Sequence, residues 1–307
     1  MSAIREIKDR MNGIQSTMKI TKAMYMISST KMNVAKERLA STEPYFYSLK
    51  KVILMILRSL PEDFSHPYFD DREYVEEDKE RKAIICITGD KGLAGSYNHN
   101  VLKMTEQMIQ KDPMMKLYMV GEVGRQYFMR RNVSIEESFL YTAQQPTLPK
   151  ARSISSKMLD LFMNKEIDEV YIVYTKMDGS MEFTPEIEQL LPLHRLSAAV
   201  EVAGEGKSNF QLEPSPKDLL DTVIPDYLAG YIYSALVESY AAENYARMQA
   251  MDSANKNGED LLNQLSLQYN RQRQAKITQE ITEVCGGAKA RRQQLEKKKK
   301  RQERSCE

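Results

Sequence analysis

The chain has 307 residues, a formal net charge of +1, 28% charged residues and no tryptophan. That length makes one large domain or two ordinary ones, and the near-neutral balance removes bulk charge as an argument for nucleic acid. No apolar run reaches the roughly 18 residues of a membrane span. Cys86, Cys285 and Cys306 have no paired spacing, which points to a reduced compartment.

The charges are unevenly placed. Residues 1–40 carry eight Lys/Arg against three acids, residues 62–80 nine acids against two bases, and residues 285–307 nine bases against three acids. Helical periodicity begins at once with Ile4-Arg5-Glu6-Ile7, so no signal or transit peptide is expected. A three-four spacing then runs without a slip through Ile4, Ile7, Met11, Ile14, Met18, Thr21, Tyr25, Ser28, Met32, Ala35 and Leu39. A heptad sustained over that distance is the seam of a coiled coil. Pro44 predicts a kink or interruption, Tyr45–Leu60 a resumed helix, and Pro61 its end. The N-terminal coiled-coil helix is therefore placed at 1–61 and an acidic linker at 62–80.

After the linker the period changes. Ala83–Ile87 reads as a buried strand ending at Thr88-Gly89, Lys116–Val120 as a second ending at Gly121, and Val170–Tyr174 as a third before the turn Asp178-Gly179. Helices are predicted at Val101–Gln110, Gly124–Arg131 and Ile154–Asn164. Strands alternating with helices make a compact α/β domain over 81–214 with a largely parallel sheet. Strand order cannot be read from this pattern.

Ser215-Pro216-Lys217-Asp218 opens the last helix, with a capping serine, proline at the first helical position and an acid in the first turn. Helix formers continue to about Leu295, and Pro225 predicts a bend in the early turns. Met248, Met251, Leu262, Leu265 and Tyr269 share one seam, interrupted by Asn255 and Gly258. The stripe then shifts to Ile277, Ile281, Val284 and Ala288. A helix of about 80 residues extends about 120 Å, too long for one domain of this size to bury. The N-terminal heptad helix is the partner the chain offers. The expected fold is α/β: an antiparallel helical coiled-coil hairpin from the N- and C-terminal helices, with an inserted Rossmann-like α/β domain. The C-terminal coiled-coil helix is placed at 215–290 and a basic tail at 291–307.

Signs of chemistry are sparse. Gly89-Asp90-Lys91-Gly92-Leu93-Ala94-Gly95 follows a strand and precedes a helix, a context that suits a phosphate cradle. Its spacing is neither G-x-G-x-x-G nor a P-loop, so a structural turn or partner contact is the better reading. Gly206-Lys207-Ser208 mimics the end of a P-loop, but Glu201 stands where the first glycine belongs. His66, His99 and His194 have no metal-ligand spacing. No catalytic residue, cofactor or metal is expected. The 19 methionines read as flexible core filler, with a sliding surface as the sharper alternative.

Ile277-Thr278-Gln279-Glu280-Ile281-Thr282-Glu283, followed by Gly287-Ala288-Lys289-Ala290, resembles the C-terminal signature of the gamma subunits of F-type ATP synthases. Ile20-Thr21-Lys22-Ala23-Met24, Lys91-Gly92-Leu93-Ala94-Gly95, Glu213-Pro214-x-Pro216, Ala246-Arg247-Met248-x-Ala250-Met251 and Tyr269-Asn270-x-x-Arg273-Gln274 resemble the same family, in the family's order. Ala94 stands where the family often has cysteine, and the chain runs about 17 residues past Ala290, where many relatives stop. The resemblance implies a non-catalytic rotor shaft inside a hexameric ring of alpha and beta subunits, resting on the epsilon subunit and the c ring. It implies a peripheral protein on the cytoplasmic side of a bacterial cell membrane, held there through the complex. It also implies contact roles: Arg273, Gln274, Thr278 and Glu280 with loops of the ring, Met24 and Arg247 in the neck facing beta, and Phe210 and Glu213 near the c ring and epsilon. Two other classes stay open. One is a nucleotide-binding Rossmann-like enzyme with helical dimerisation arms. The other is a coiled-coil nucleic-acid binder using Lys297–Arg301, for which the tail lacks interleaved aromatics.

Overall fold

A computed structural model describes residues 2–59, 64–69, 81–140, 142–177, 183–193, 213 and 215–303. The chain divides into two compact units. The larger is Tyr25–Ala250; the smaller joins Met1–Met24 to Met251–Glu307. Two long helices, α1 (Ser2–Ser59) and α5 (Pro216–Glu303), contribute to both.

In the larger unit, β1 (Lys82–Ile87), β2 (Lys116–Val120), β3 (Glu137–Phe139), β4 (Glu169–Met177) and β5 (Phe183–Leu191) form one sheet. Its order is β3-β2-β1-β4-β5, parallel except for β5, which runs antiparallel to β4. Helices α2 (Tyr97–Lys111), α3 (Glu122–Met129) and α4 (Leu148–Met163) connect the parallel strands. Side chains alternate across the strands and divide the core. Ile84, Cys86, Leu117 and Met119 pack with Val101, Leu102 and Phe128 of α2 and α3. Ala83, Ile85, Ile87, Tyr118 and Val120 pack on the opposite face with α4, α1 and α5. Both faces are covered, which is why β1 and β2 read as continuous apolar runs. Cys86 is buried, its thiol accepts a hydrogen bond from Thr105 at 3.2 Å, and burial pushes its pKa up to about 12. It is core, as its apolar surroundings predict.

Of the kink or interruption expected at Pro44, the interruption does not occur: α1 is continuous through it. The carbonyl that loses its amide partner belongs to Ala40, which is exposed along with Pro44, so the break in the hydrogen-bond ladder falls on the solvent side of the helix. Pro225 likewise lies inside α5, one turn after the exposed Asp221. The α1 seam runs as the heptad predicts. Met32, Ala35 and Leu39 are buried in the larger unit and Met18 in the smaller, with exposed residues between them. In each unit α1 and α5 run antiparallel. Phe46 meets Gly230 and Tyr233 in the larger unit, and Thr21 meets Asn255 in the smaller.

Three pieces of the larger unit escaped the sequence reading, the short β3 among them. Within the stretch taken as an acidic linker, Phe64 and Phe69 pack on the core, Tyr68 is buried, and Pro67–Phe69 form a 3₁₀ turn. The His66 side chain is fully buried there, with Nε2 3.3 Å from Asp221 Oδ1 at the base of α5. Burial lowers its pKa, opposed by Asp221. The third piece is β5, whose Phe183-Thr184-Pro185-Glu186 opening gives a weak apolar signal. Edge position tolerates Pro185. The turn at Asp178-Gly179 lies outside the described residues.

The expected boundary at Ala290 is not marked by a helix end, since α5 continues to Glu303. Arg291 to Glu303 contains only strong helix formers, and a lysine run near the C-terminus complements the helix dipole.

Candidate functional site

In an open parallel sheet, ligands bind beyond the carboxyl ends of the strands where the strand order reverses. Here that point lies between β1 and β4, and the glycine loop 88–95 leaves β1 beside it. The loop is tied down by its neighbours. Gly89 N–H donates to Asn98 Oδ1 at 2.8 Å, and Asp90 Oδ1 accepts from Glu122 N–H at 2.9 Å. Thr88 Oγ1 donates to Val120 O and accepts from Gly124 N–H. Gly121, at φ +98°, leaves no room for a side chain, because a Cβ would lie 2.1 Å from Thr88 O.

Helix α5 closes over the loop. Ala94 and Tyr97 pack on Ala242, and Ala246 adds to the contact. The Glu243 carboxylate lies directly against Gly89. Arg247 is ion-paired with Glu243, and donates to Lys91 O at 3.3 Å and Gly92 O at 3.2 Å. Burial pushes the pKa of Glu243 up, with Arg247 pulling the other way, and burial together with Glu243 raises that of Tyr97 well above its usual value. A negative group thus lies against Gly89, on the side from which a phosphate would have to approach the loop. This counts against the nucleotide-binding Rossmann-like enzyme: the loop is a structural clasp. Leu93, in the same loop, stands 66% exposed with φ +62°, a left-handed conformation that is unusual for a leucine.

Beside the clasp is a cleft of about 510 Å³, lined by Lys31, Arg38, Lys91, Arg247, Gln145 and Asn244 among others. Its cations come from α1, the β1–α2 loop and α5. Lys31 bears on Glu243 and Arg38 on Tyr240.

In the smaller unit, Leu265 is the last buried residue of α5 up to Leu295. From Asn270 to Leu295 every residue is exposed, including Ile277, Ile281, Val284 and Leu295. Arg273, Gln274, Thr278 and Glu280 all lie on this bare stretch. Glu280 is 3.6 Å from Lys276, and Thr278 O accepts from the Thr282 hydroxyl at 2.7 Å. Both contacts are local to the helix and leave its surface open. Met24 is half-buried in the same unit. Arg247 belongs to the clasp, its side chain only 11% exposed. Glu213 is exposed just ahead of α5, and Phe210 lies outside the described residues. The sequence reading missed Glu243, Tyr97 and Asn98. The signal for the first was present, because Glu243 and Arg247 form an i,i+4 pair flanked by Ala241, Ala242 and Ala246, whose small side chains allow close approach.

Among the described residues no group of His, Cys, Asp or Glu could hold a metal ion, and no helix is long and apolar enough to cross a membrane.

Residues 3–290 match the ATP synthase family model. The chain is 42% identical over 291 residues to the ATP synthase gamma chain of Ruminiclostridium cellulolyticum, covering 94% of this chain and 98% of that one. It is 39% identical over 299 residues to the gamma chain of Acetivibrio thermocellus, with 94% and 99% covered. In fold it is similar to a chain of the Euglena gracilis mitochondrial ATP synthase OSCP/F1/c-ring structure, with TM-score 0.64, 18% identity and 94% of each chain covered. A chain of the Tetrahymena thermophila mitochondrial central stalk and c ring gives TM-score 0.59 at 23% identity, covering 76% of this chain and 99% of that one.

Proposed function

The chain belongs to the family of ATP synthase gamma chains, and we propose that it transmits rotation between a membrane-embedded c ring and a catalytic alpha/beta ring. It is the central-stalk subunit and is non-catalytic; the chemistry of ATP belongs to alpha and beta. The observation that carries this reading is the bare stretch of α5. Ile277, Ile281 and Val284 are 46%, 58% and 73% exposed although they lie on one stripe. An apolar stripe left in water is the mark of a surface that another protein covers. A surrounding ring is such a cover.

The contact roles follow as part of the same proposal. Arg273, Gln274, Thr278 and Glu280 meet loops of the ring. Met24 and Arg247 lie in the neck facing beta, Arg247 acting through the clasp it closes. Phe210 and Glu213 approach the c ring and epsilon. Helical segments 1–61 and 215–290 form the shaft, 81–214 the foot, 62–80 a connector, and 291–307 a basic tail dispensable for catalysis. Attachment is peripheral, on the cytoplasmic side of the membrane and through the complex, and the coupled process is proton transport.

The test is reassembly. Arg273→Leu with Gln274→Leu should leave the Tm of the full chain within about 2 °C, since exposed substitutions change stability by no more than about 0.5 kcal/mol. The same pair should lower ATPase activity or assembly when the chain is combined with alpha and beta subunits. Full activity in a fully assembled variant complex would contradict the assigned contacts.

A further inference from the structure

The seam of the smaller unit is loosely packed. An open groove of about 630 Å³ between α1 and α5 is lined by residues of mixed size that include Gly13, Thr17, Gly258, Leu261, Arg10 and Gln268. Apolar contacts across such a gap change little when one helix slides along the other. Two contacts do discriminate. Thr21 Oγ1 donates to Asn255 Oδ1 at 2.5 Å, and Asn255 is only 9% exposed. Met18 fills the space that Gly258 leaves open, where a Cβ would come within 2.8 Å of Met18 Cγ. A further polar contact across the seam, Lys22 Nζ to Glu259 Oε1 at 3.4 Å, joins two side chains that are each 59% exposed. A solvated pair of that kind adds little.

A buried amide in an apolar seam lowers stability but selects alignment, because every misaligned pairing strands a polar group. A slide of one turn would set Thr21 opposite Met251 or Gly258, and neither side chain accepts a hydrogen bond of this strength. The hydroxyl keeps a local alternative, since Met18 O lies 3.1 Å away, so the stranded group would be Asn255.

We propose that Thr21 and Asn255, with Met18 and Gly258 as their steric complement, fix the register of α1 against α5. Each residue of slip turns a helix face by about 100°. The pair therefore sets which way the face bearing Arg273 and Gln274 points relative to α1. Only this consequence for torque rests on the shaft reading; the register role stands on the seam itself.

Disulfide scanning of the full chain tests it. Cys86 is replaced by alanine and Cys285 and Cys306 by serine. A cysteine at Ile14 is then combined, one at a time, with cysteines from Leu261 to Gln268. Mild oxidation should give disulfide at one or two facing positions only. Asn255→Leu should raise Tm by about 2–4 °C, the shift that follows from about 1 kcal/mol in a chain of this size. It should also raise disulfide yield at positions one turn away by about tenfold, and Thr21→Val should spread the yield in the same way. Yield that stays confined in both variants overturns the proposal, and so does a fall in Tm for Asn255→Leu. The crosslinks are read on the chain alone, so their failure leaves the shaft reading intact. A chain that will not join an alpha/beta ring would count against that reading and leave the register result standing.

Discussion

Glu243 seats its carboxylate so close to Gly89 that a Cβ at position 89 would lie 2.7 Å from the Glu243 Cδ. Arg247 holds that carboxylate in place, so it cannot swing aside without breaking the clasp. Gly89→Ala should destabilise the full chain by about 1–3 kcal/mol, the usual cost of overpacking. Glu243→Ala removes the obstacle, so Gly89→Ala should cost far less in that background. Urea unfolding of the two single variants and the double variant measures the coupling. Strict additivity would contradict the contact.

Glu238 supplies a pH dependence with a definite sign. Its carboxylate accepts from Met177 N–H at 2.9 Å, and burial pushes its pKa up from 4.5 to about 7, with Lys176 opposing and Glu188 and Glu43 reinforcing. The folded chain therefore binds this proton more tightly than the unfolded chain. The stabilisation is complete below the unfolded value and is lost as pH rises through the folded one. Between pH 4.5 and 7 the loss is on the order of 3 kcal/mol. Glu238→Gln keeps the acceptor without the charge, so it should be more stable than the natural chain at pH 8 and close to it at pH 4.5. Parallel stability-pH curves would contradict this.

Much of this fold was legible because it rests on period. The α1 heptad and the apolar runs of β1, β2 and β4 each announce what they bury. The missing elements lack such a signal for physical reasons. β3 has three residues, too few for a period. β5 is an edge strand with half-exposed positions, so acids and Pro185 dilute its alternation. The Phe64–Phe69 anchor sits within an acidic stretch whose composition hides four aromatic rings. At the site, Arg273, Gln274, Thr278 and Glu280 came from the resemblance, and the structure places them on one exposed stretch. The Glu243 clasp joins residues about 150 positions apart, a distance across which spacing carries no information.

Gly230 sets two effects against each other. Alanine gains about 1 kcal/mol of helix propensity over glycine. A Cβ at this position would come within 1.9 Å of the Phe46 ring. A ring cannot yield that far while it also packs on Tyr233, at a centroid distance of 6.4 Å. Gly230→Ala should therefore lower stability by about 1–3 kcal/mol net, read by chemical denaturation. Phe46→Leu should soften the penalty. A Gly230→Ala variant more stable than the natural chain would show that the helix closes without this contact.

Rotation of the chain inside the ring can be watched directly. The full chain is assembled with alpha and beta subunits fixed to a surface, and a bead is attached through a single cysteine on the exposed Lys103 position of α2. With ATP supplied, the bead should turn in one direction, at a rate that follows hydrolysis, and stop when ATP is removed. A bead that stays still while the same complexes hydrolyse ATP would show that the chain is not the rotating shaft.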